Sequence, residues 1–134
     1  MRIVQKVTYF FGLAFVAAAI LGFMTGGMSM DASMATAPRL GGLFPVNVMH
    51  NGVHLLLGVW GLMAGRTPAG ARRYCLFSGA GYLILAGVGF VLPETFGLVP
   101  IGGNDITLHA VLGIVLTLVG AMSDTEEAAV AARP

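Results

Sequence analysis

Residues 7–24 read VTYFFGLAFVAAAILGFM and contain no lysine, arginine, aspartate or glutamate. About 20 apolar residues are needed to cross the hydrocarbon core of a bilayer as a helix. Three further runs have the same character, at about 46–64, 74–92 and 106–122. Because lipid offers the backbone no hydrogen-bond partners, such runs must form helices, whose hydrogen bonds are internal. The sequence therefore predicts an all-α integral membrane fold.

The composition agrees with this class of protein. Of 134 residues, 57% are hydrophobic and 10% are charged, whereas soluble domains carry about 25% charged residues. We predict a single domain, 1–134, built as a four-transmembrane-helix antiparallel bundle, with a polar tail at 123–134. The net charge of +1 indicates no nucleic-acid partner, and the single cysteine excludes an internal disulfide.

Basic residues set the expected orientation. If the chain crosses the membrane four times, all but one of them fall on the side of the termini; those six are Arg2, Lys6, Arg66, Arg72, Arg73 and Arg133. Only Arg39 falls on the other side. The positive-inside rule then predicts that both termini and the short basic loop at 65–73 are cytoplasmic.

Polar side chains gather where two of the predicted helices begin. Four on helix 2 are spaced i, i+3, i+4 and i+7, which places them on one helical face. Helix 4 opens with an aspartate, and a histidine follows one turn later. Because polar groups within a membrane are costly unless they face one another or water, we predict one buried cluster between helices 2 and 4. Its members are Asn47, His50, Asn51, His54, Asp105 and His109.

Several purposes for this cluster stay open. Its side chains can hydrogen-bond one another and hold the helices together. Alternatively, His50, His54 and His109 are candidate ligands of a metal, and His50 and His109 are a candidate axial pair for a haem. A pigment with a single histidine ligand is a further alternative. Catalysis is not expected, because no acid–base pair is evident beyond Asp105 and His109.

Methionines are frequent in the first loop on the side away from the termini. Met24, Met28, Met30 and Met34 fall within eleven residues, with Met49 nearby. Thioethers favour Cu(I), but methionine is also a flexible apolar filler. Copper handling is therefore a further alternative for this loop.

The segment around the first histidines resembles the DUF4383 family of small four-helix bacterial membrane proteins. The matching residues are LFPVN at 43–47, His50 and Asn51, HLLLG at 54–58, Gly61, Asp105, and Leu108 with His109. The likeness covers about Gly12 to Gly120. It implies a four-helix fold in a bacterial inner membrane, and it brings no established activity.

We expect a non-catalytic accessory or structural subunit of a larger membrane complex. Small size and abundant glycine, 20 residues in all, favour close packing against other helices. The expected partners are membrane lipids and other membrane subunits, and no cofactor is the first expectation. The alternative is a membrane protein that binds a metal, haem or pigment through histidine.

Overall fold

The computed structural model describes the backbone of residues 1–131 and the side chains of residues 1–123. Within that part of the chain, four α-helices confirm the predicted all-α class. Arg133 lies outside the described residues. The elements are, in order, α1 Ile3–Gly26, β1 Arg39–Leu40, β2 Phe44–Pro45, α2 Val48–Ala64, α3 Pro68–Val91, a 3-10 turn at Thr95–Gly97, and α4 Asn104–Ala131.

Three of the described helices are long and apolar enough to cross a membrane. They are Ile3–Gly26, Pro68–Val91 and the Asn104–Ser123 part of α4. Helix α2 has 17 residues, at the lower end of the range of about 17–25 residues that spans a bilayer. The four predicted spans thus correspond to three full-length helices and one short one. The side of the membrane that each end faces stays a prediction.

The connection between α2 and α3 differs most from the prediction. We expected a loop over residues 65–73, whereas α3 begins at Pro68. The Thr67 side chain accepts a hydrogen bond from the Gly70 nitrogen at 3.0 Å, which satisfies one of the unpaired donors of a helix start. Proline is favoured at the first helical position because its missing N–H would have no intrahelical partner there. The Thr67 cap and Pro68 together explain why α3 begins inside the basic segment 65–73.

Glycines bring α1 and α2 into close contact. A methyl group added at Gly58 would lie 2.7 Å from the Val16 nitrogen and 2.9 Å from the Gly12 oxygen. Further along, the Asn51 side chain lies directly on Gly22. Because residues late in α1 meet residues early in α2, the two helices run in opposite directions. Such close approach provides van der Waals contact, which is how helices associate in lipid.

Helices α3 and α4 form a second antiparallel pair by the same means. A methyl group at Gly79 would lie 2.7 Å from the Thr117 nitrogen, and one at Gly113 would lie 2.9 Å from the Leu83 nitrogen. The core between the two pairs is apolar apart from the hydroxyl and thiol groups of its aromatic and cysteine residues. It comprises Val4, Phe15, Ala71, Tyr74, Cys75, Tyr82 and Leu116.

Two loops close the end of the bundle away from the N-terminus, and we call residues 27–47 and 92–103 the loop end. The first contains a small antiparallel hairpin in which Arg39 pairs with Pro45. The second is joined to it by the Met34 nitrogen, which donates to Glu94 Oε1 at 2.7 Å. The loop end therefore covers the starts of α2 and α4, where the predicted polar cluster lies.

Candidate functional site

The three histidines of the chain lie near one another beneath the loop end. The rings of His50 and His54 are 4.6 Å apart between centroids, and those of His50 and His109 are 6.3 Å apart. Two aromatic rings adjoin them. Phe15 of α1 stacks on His54 at 5.6 Å, and Tyr82 of α3 lies 5.2 Å from His109. All four helices therefore contribute side chains to this region.

Two of these histidines and an aspartate form a candidate metal site. Candidate ligand atoms of His50, Asp105 and His109, one from each residue, all lie within 4.8 Å of one another. Each of the three residues is buried, and Asp105 and His109 are each only 2% exposed. The helical start of α4 places Asp105 one turn before His109, so both point to the same side. We call these three residues the His–Asp group.

A backbone hydrogen bond fixes the imidazole of His50. Its Nδ1 lies 3.0 Å from the carbonyl oxygen of Pro100, and a carbonyl can only accept, so Nδ1 carries the proton. The lone pair is then on Nε2. Histidine ligands of metals commonly donate their other ring N–H to a backbone carbonyl, which sets the tautomer and the ring orientation. The Nδ1 atom also lies 3.8 Å from Asp105 Oδ2.

Each of the other two members of the His–Asp group has one buried polar atom without a hydrogen-bond partner among the described residues. Among the described residues, nothing donates to the buried Asp105 Oδ2, and nothing pairs with the buried His109 Nδ1. Burying a polar atom without a partner is unfavourable, and a buried charge is more so. A bound cation would satisfy both atoms at once, because a carboxylate and an imidazole nitrogen are both metal ligands.

The two asparagines of the predicted cluster are placed elsewhere. Asn47 caps α2, where its Oδ1 accepts from the His50 nitrogen at 2.9 Å and its Nδ2 donates to the Leu98 oxygen at 2.8 Å. Asn51 lies against Gly22 of α1, and neither of its amide atoms has a hydrogen-bond partner in the described part of the chain. The six predicted residues thus divide into the His–Asp group with His54 beside it, a cap, and a contact with α1.

A family model described as a domain of unknown function, DUF4383, matches residues 5–122. The chain belongs to the DUF4383 family. No curated protein and no solved structure matched the chain in the comparisons made.

A small cavity adjoins the histidines of this DUF4383 protein. Its volume is about 120 Å³, and Tyr82 and Leu85 form the wall that α3 contributes. The sequence did not single out Tyr82 or Phe15, because each falls inside a long apolar run where an aromatic residue predicts only burial. The hydroxyl of Tyr82 is buried and has no hydrogen-bond partner among the described residues.

The methionines of the first loop do not share one environment in this DUF4383 chain. Met24 and Met28 are largely exposed. The sulfur of Met34 packs over the second loop, 3.2 Å from where a methyl group on Gly102 would lie. Met34 therefore fills space between the two loops, as methionine often does in irregular gaps.

Proposed function

We propose that this chain is a non-catalytic integral membrane protein that binds one divalent transition-metal ion through the His–Asp group. The observation that carries the proposal is that candidate ligand atoms of three buried residues, His50, Asp105 and His109, lie within 4.8 Å of one another. Two of these residues hold a polar atom with no hydrogen-bond partner in the described part of the chain. A location in a bacterial plasma membrane and cytoplasmic termini belong to this proposal as well.

The donor set favours an ion of the zinc, cobalt or nickel kind. Two imidazoles and one carboxylate suit these metals, with bonds of about 2.0–2.2 Å. Such bonds bring ligand atoms to roughly 3.5 Å from one another, so small side-chain rotations would close the group on an ion. Asp105 replaces His54 as the expected third ligand, because His54 lies one turn deeper along α2 and stacks on Phe15.

An ion fits this site better than a haem or a pigment. Macrocycles are large flat molecules, and pockets for ligands of drug size usually measure about 300–1,000 Å³. The cavity beside the histidines measures about 120 Å³.

Metal titration of the purified protein tests the proposal. Protein in mild detergent, stripped with a chelator, should bind one Co²⁺ or Zn²⁺ per chain. The variants Asp105→Asn and His109→Gln should weaken binding by at least about 100-fold, since even outer-shell partners account for 10–100-fold. The matched control is His54→Gln, which changes a neighbouring histidine outside the His–Asp group and should leave the stoichiometry intact. Equal binding by all four proteins, or no binding by the wild type, would refute the assignment.

A subunit role in a larger membrane complex is a second proposal, and two glycines support it. Most glycines of the helices lie where α1 packs on α2 or where α3 packs on α4. A methyl group at Gly52 or Gly87, by contrast, would meet nothing within 4 Å. These positions offer small-residue surface to a partner helix. The protein extracted from native membranes in mild detergent should then migrate with other subunits. Migration as an isolated monomer would contradict this role.

A further inference from the structure

An open groove runs along the surface of the bundle between α2 and α3. It consists of three hollows of about 370, 220 and 120 Å³. Trp60 and Phe77 border both the first and the second hollow. Tyr82 and Leu85 border both the second and the third. The three hollows therefore form one groove, which narrows from the end near the α2–α3 connection towards the histidines.

The groove is apolar and open to the surrounding lipid. Phe77 is 70% exposed and Trp60 is 39% exposed, so the large rings that border the groove face outward. Gly81 lines the middle hollow, and a methyl group added there would meet nothing within 4 Å. Glycine at this position thus leaves space on the lipid-facing surface of α3 instead of bringing two helices together.

The two inner hollows, of about 220 and 120 Å³, have the size of a hydrocarbon chain. A cavity of about 150 Å³ holds one benzene molecule, so by that measure they have room for roughly 14 carbon atoms. Along α3, the groove extends roughly 18 Å from Arg73 to Leu85, at a rise of about 1.5 Å per residue. Half of the hydrocarbon core of a bilayer is about 15 Å thick. A chain that starts at the level of Arg73 would therefore end near the histidines.

A cationic side chain lies at the wide end of the groove. Arg73 lines the first hollow, and its side chain is exposed. Among the described residues that line the three hollows, Arg73 is the only lysine or arginine and none is acidic. A guanidinium group binds phosphate through paired N–H donors. A phosphate at this end would thus meet a positive charge for which no carboxylate of the groove competes.

The wide end of the groove also belongs to the basic end of the bundle. Arg66 and Arg72 lie in the same segment, 65–73, as Arg73. Basic pockets between transmembrane helices bind the head groups of anionic lipids. Trp60 lies about one turn before the end of α2, and the amphipathic ring of tryptophan is favoured at the membrane surface. The head group of a lipid would therefore lie at its ordinary depth when its chain follows the groove.

We infer that the α2–α3 groove binds an acyl chain of an anionic phospholipid whose phosphate pairs with Arg73. The chain passes Trp60 and Gly81 and ends in the hollow beside the histidines. A zwitterionic phospholipid binds less tightly, because no acidic residue among those that line the groove would pair with its ammonium group. A partner helix, about 10–12 Å across with its side chains, is too wide for the narrow end. The inference goes beyond the proposed metal binding and does not depend on a bound ion.

Fluorescence of Trp60, the only tryptophan of the chain, reports on lipid in the groove that it lines. Delipidated, chelator-stripped protein in mild detergent is titrated with phosphatidylglycerol that carries bromine on its acyl chains, and separately with brominated phosphatidylcholine. Both lipids should quench saturably, and phosphatidylglycerol should bind about fivefold more tightly, the effect of one basic residue on an anionic lipid. Because the protein carries no metal in this experiment, the outcome is independent of the metal titration.

Two matched pairs of variants test the two ends of the lipid. Arg73→Gln should abolish the preference for phosphatidylglycerol, whereas Arg66→Gln, which removes an exposed arginine of the same segment that does not line the groove, should retain it. Gly81→Leu fills the middle hollow and should abolish saturable quenching by both lipids. Gly87→Leu is its control, because a methyl group there would also meet nothing within 4 Å and Gly87 does not line the groove. It should bind both lipids like the wild type.

Four results would overturn the inference. Equal affinity of the wild type for both lipids, or an equal preference in the two arginine variants, would mean that Arg73 does not recognise the head group. Equally tight binding of a brominated alkane would mean that the groove takes any apolar chain. Unchanged quenching in Gly81→Leu would mean that lipid reaches Trp60 without entering the groove. A membrane subunit that co-purifies with the wild type and is released by Gly81→Leu would make the groove a protein interface. Circular dichroism of each variant, matched to the wild type, confirms that the helices are intact.

Discussion

Replacing Gly58 by leucine is expected to separate α1 from α2 and to destabilise the protein by more than about 3 kcal/mol. A side chain at this position would meet backbone atoms of α1, with its Cβ 2.7 Å from the Val16 nitrogen and 2.9 Å from the Gly12 oxygen. Backbone cannot rotate away as a flexible side chain can, so the helices must move apart. Overpacking of a core typically costs 1–3 kcal/mol, and more where the surroundings are rigid.

Unfolding in mixed micelles with increasing denaturing detergent, followed by circular dichroism, measures this effect. The matched control is Gly52→Leu on the same helix, where an added methyl group would meet nothing within 4 Å. Both variants replace a helical glycine by the same residue, so they share any gain in helix propensity. If Gly58→Leu unfolds at the same point as Gly52→Leu, the close contact between α1 and α2 does not stabilise the fold.

Replacing Asn47 by alanine is expected to cost about 2–3 kcal/mol of stability. The Asn47 side chain accepts from the His50 nitrogen at the start of α2 and donates to the Leu98 oxygen in the second loop. Loss of a helix cap costs about 0.5–2 kcal/mol, and a buried hydrogen bond contributes about 0.5–1.5 kcal/mol. Asn47 is itself buried, so water would not readily replace either bond.

Two further variants separate the cap from the loop contact. Asn47→Asp keeps the acceptor for the His50 nitrogen but loses the donor to Leu98, so it should fall between the wild type and Asn47→Ala. Thr67→Ala removes the cap of α3, which is exposed, and should cost only about 1 kcal/mol. An equal loss of stability in Asn47→Ala and Thr67→Ala, measured by the same unfolding titration, would show that the loop contact contributes nothing.

The long apolar runs made the helices predictable, because a run without charged residues has few alternatives in lipid. The residues at which the helices begin and end were harder to predict from the apolar runs. The start of α3 lies among arginines, and the hydropathy of the run alone placed it near Tyr74. The signal that could have found it was the local pair Thr67 and Pro68, a cap followed by proline.

The candidate site was predictable in part. Spacing identified the face of α2 that carries His50 and His54, but it could not resolve neighbours about 100° apart around the helix. Asn51 falls on the stripe shared with Gly58, which faces α1, so it meets Gly22 instead of the histidines. Tyr82 and Pro100 reach the histidines only through tertiary folding, and nothing local in the sequence marks either residue.

The close glycine contacts between consecutive helices also bear on the order in which the chain folds as it is synthesised. The close glycine contacts join consecutive helices, α1 with α2 and α3 with α4. Each pair therefore has its own contact surface and does not need the other pair to form it. The hydrogen bonds from Asn47 to Leu98 and from His50 to Pro100 join partners about fifty residues apart. They can form only after α3 and the second loop have been made, and His109 of α4 joins them last along the chain, so we expect the buried histidine site to be completed when the second pair of helices docks on the first.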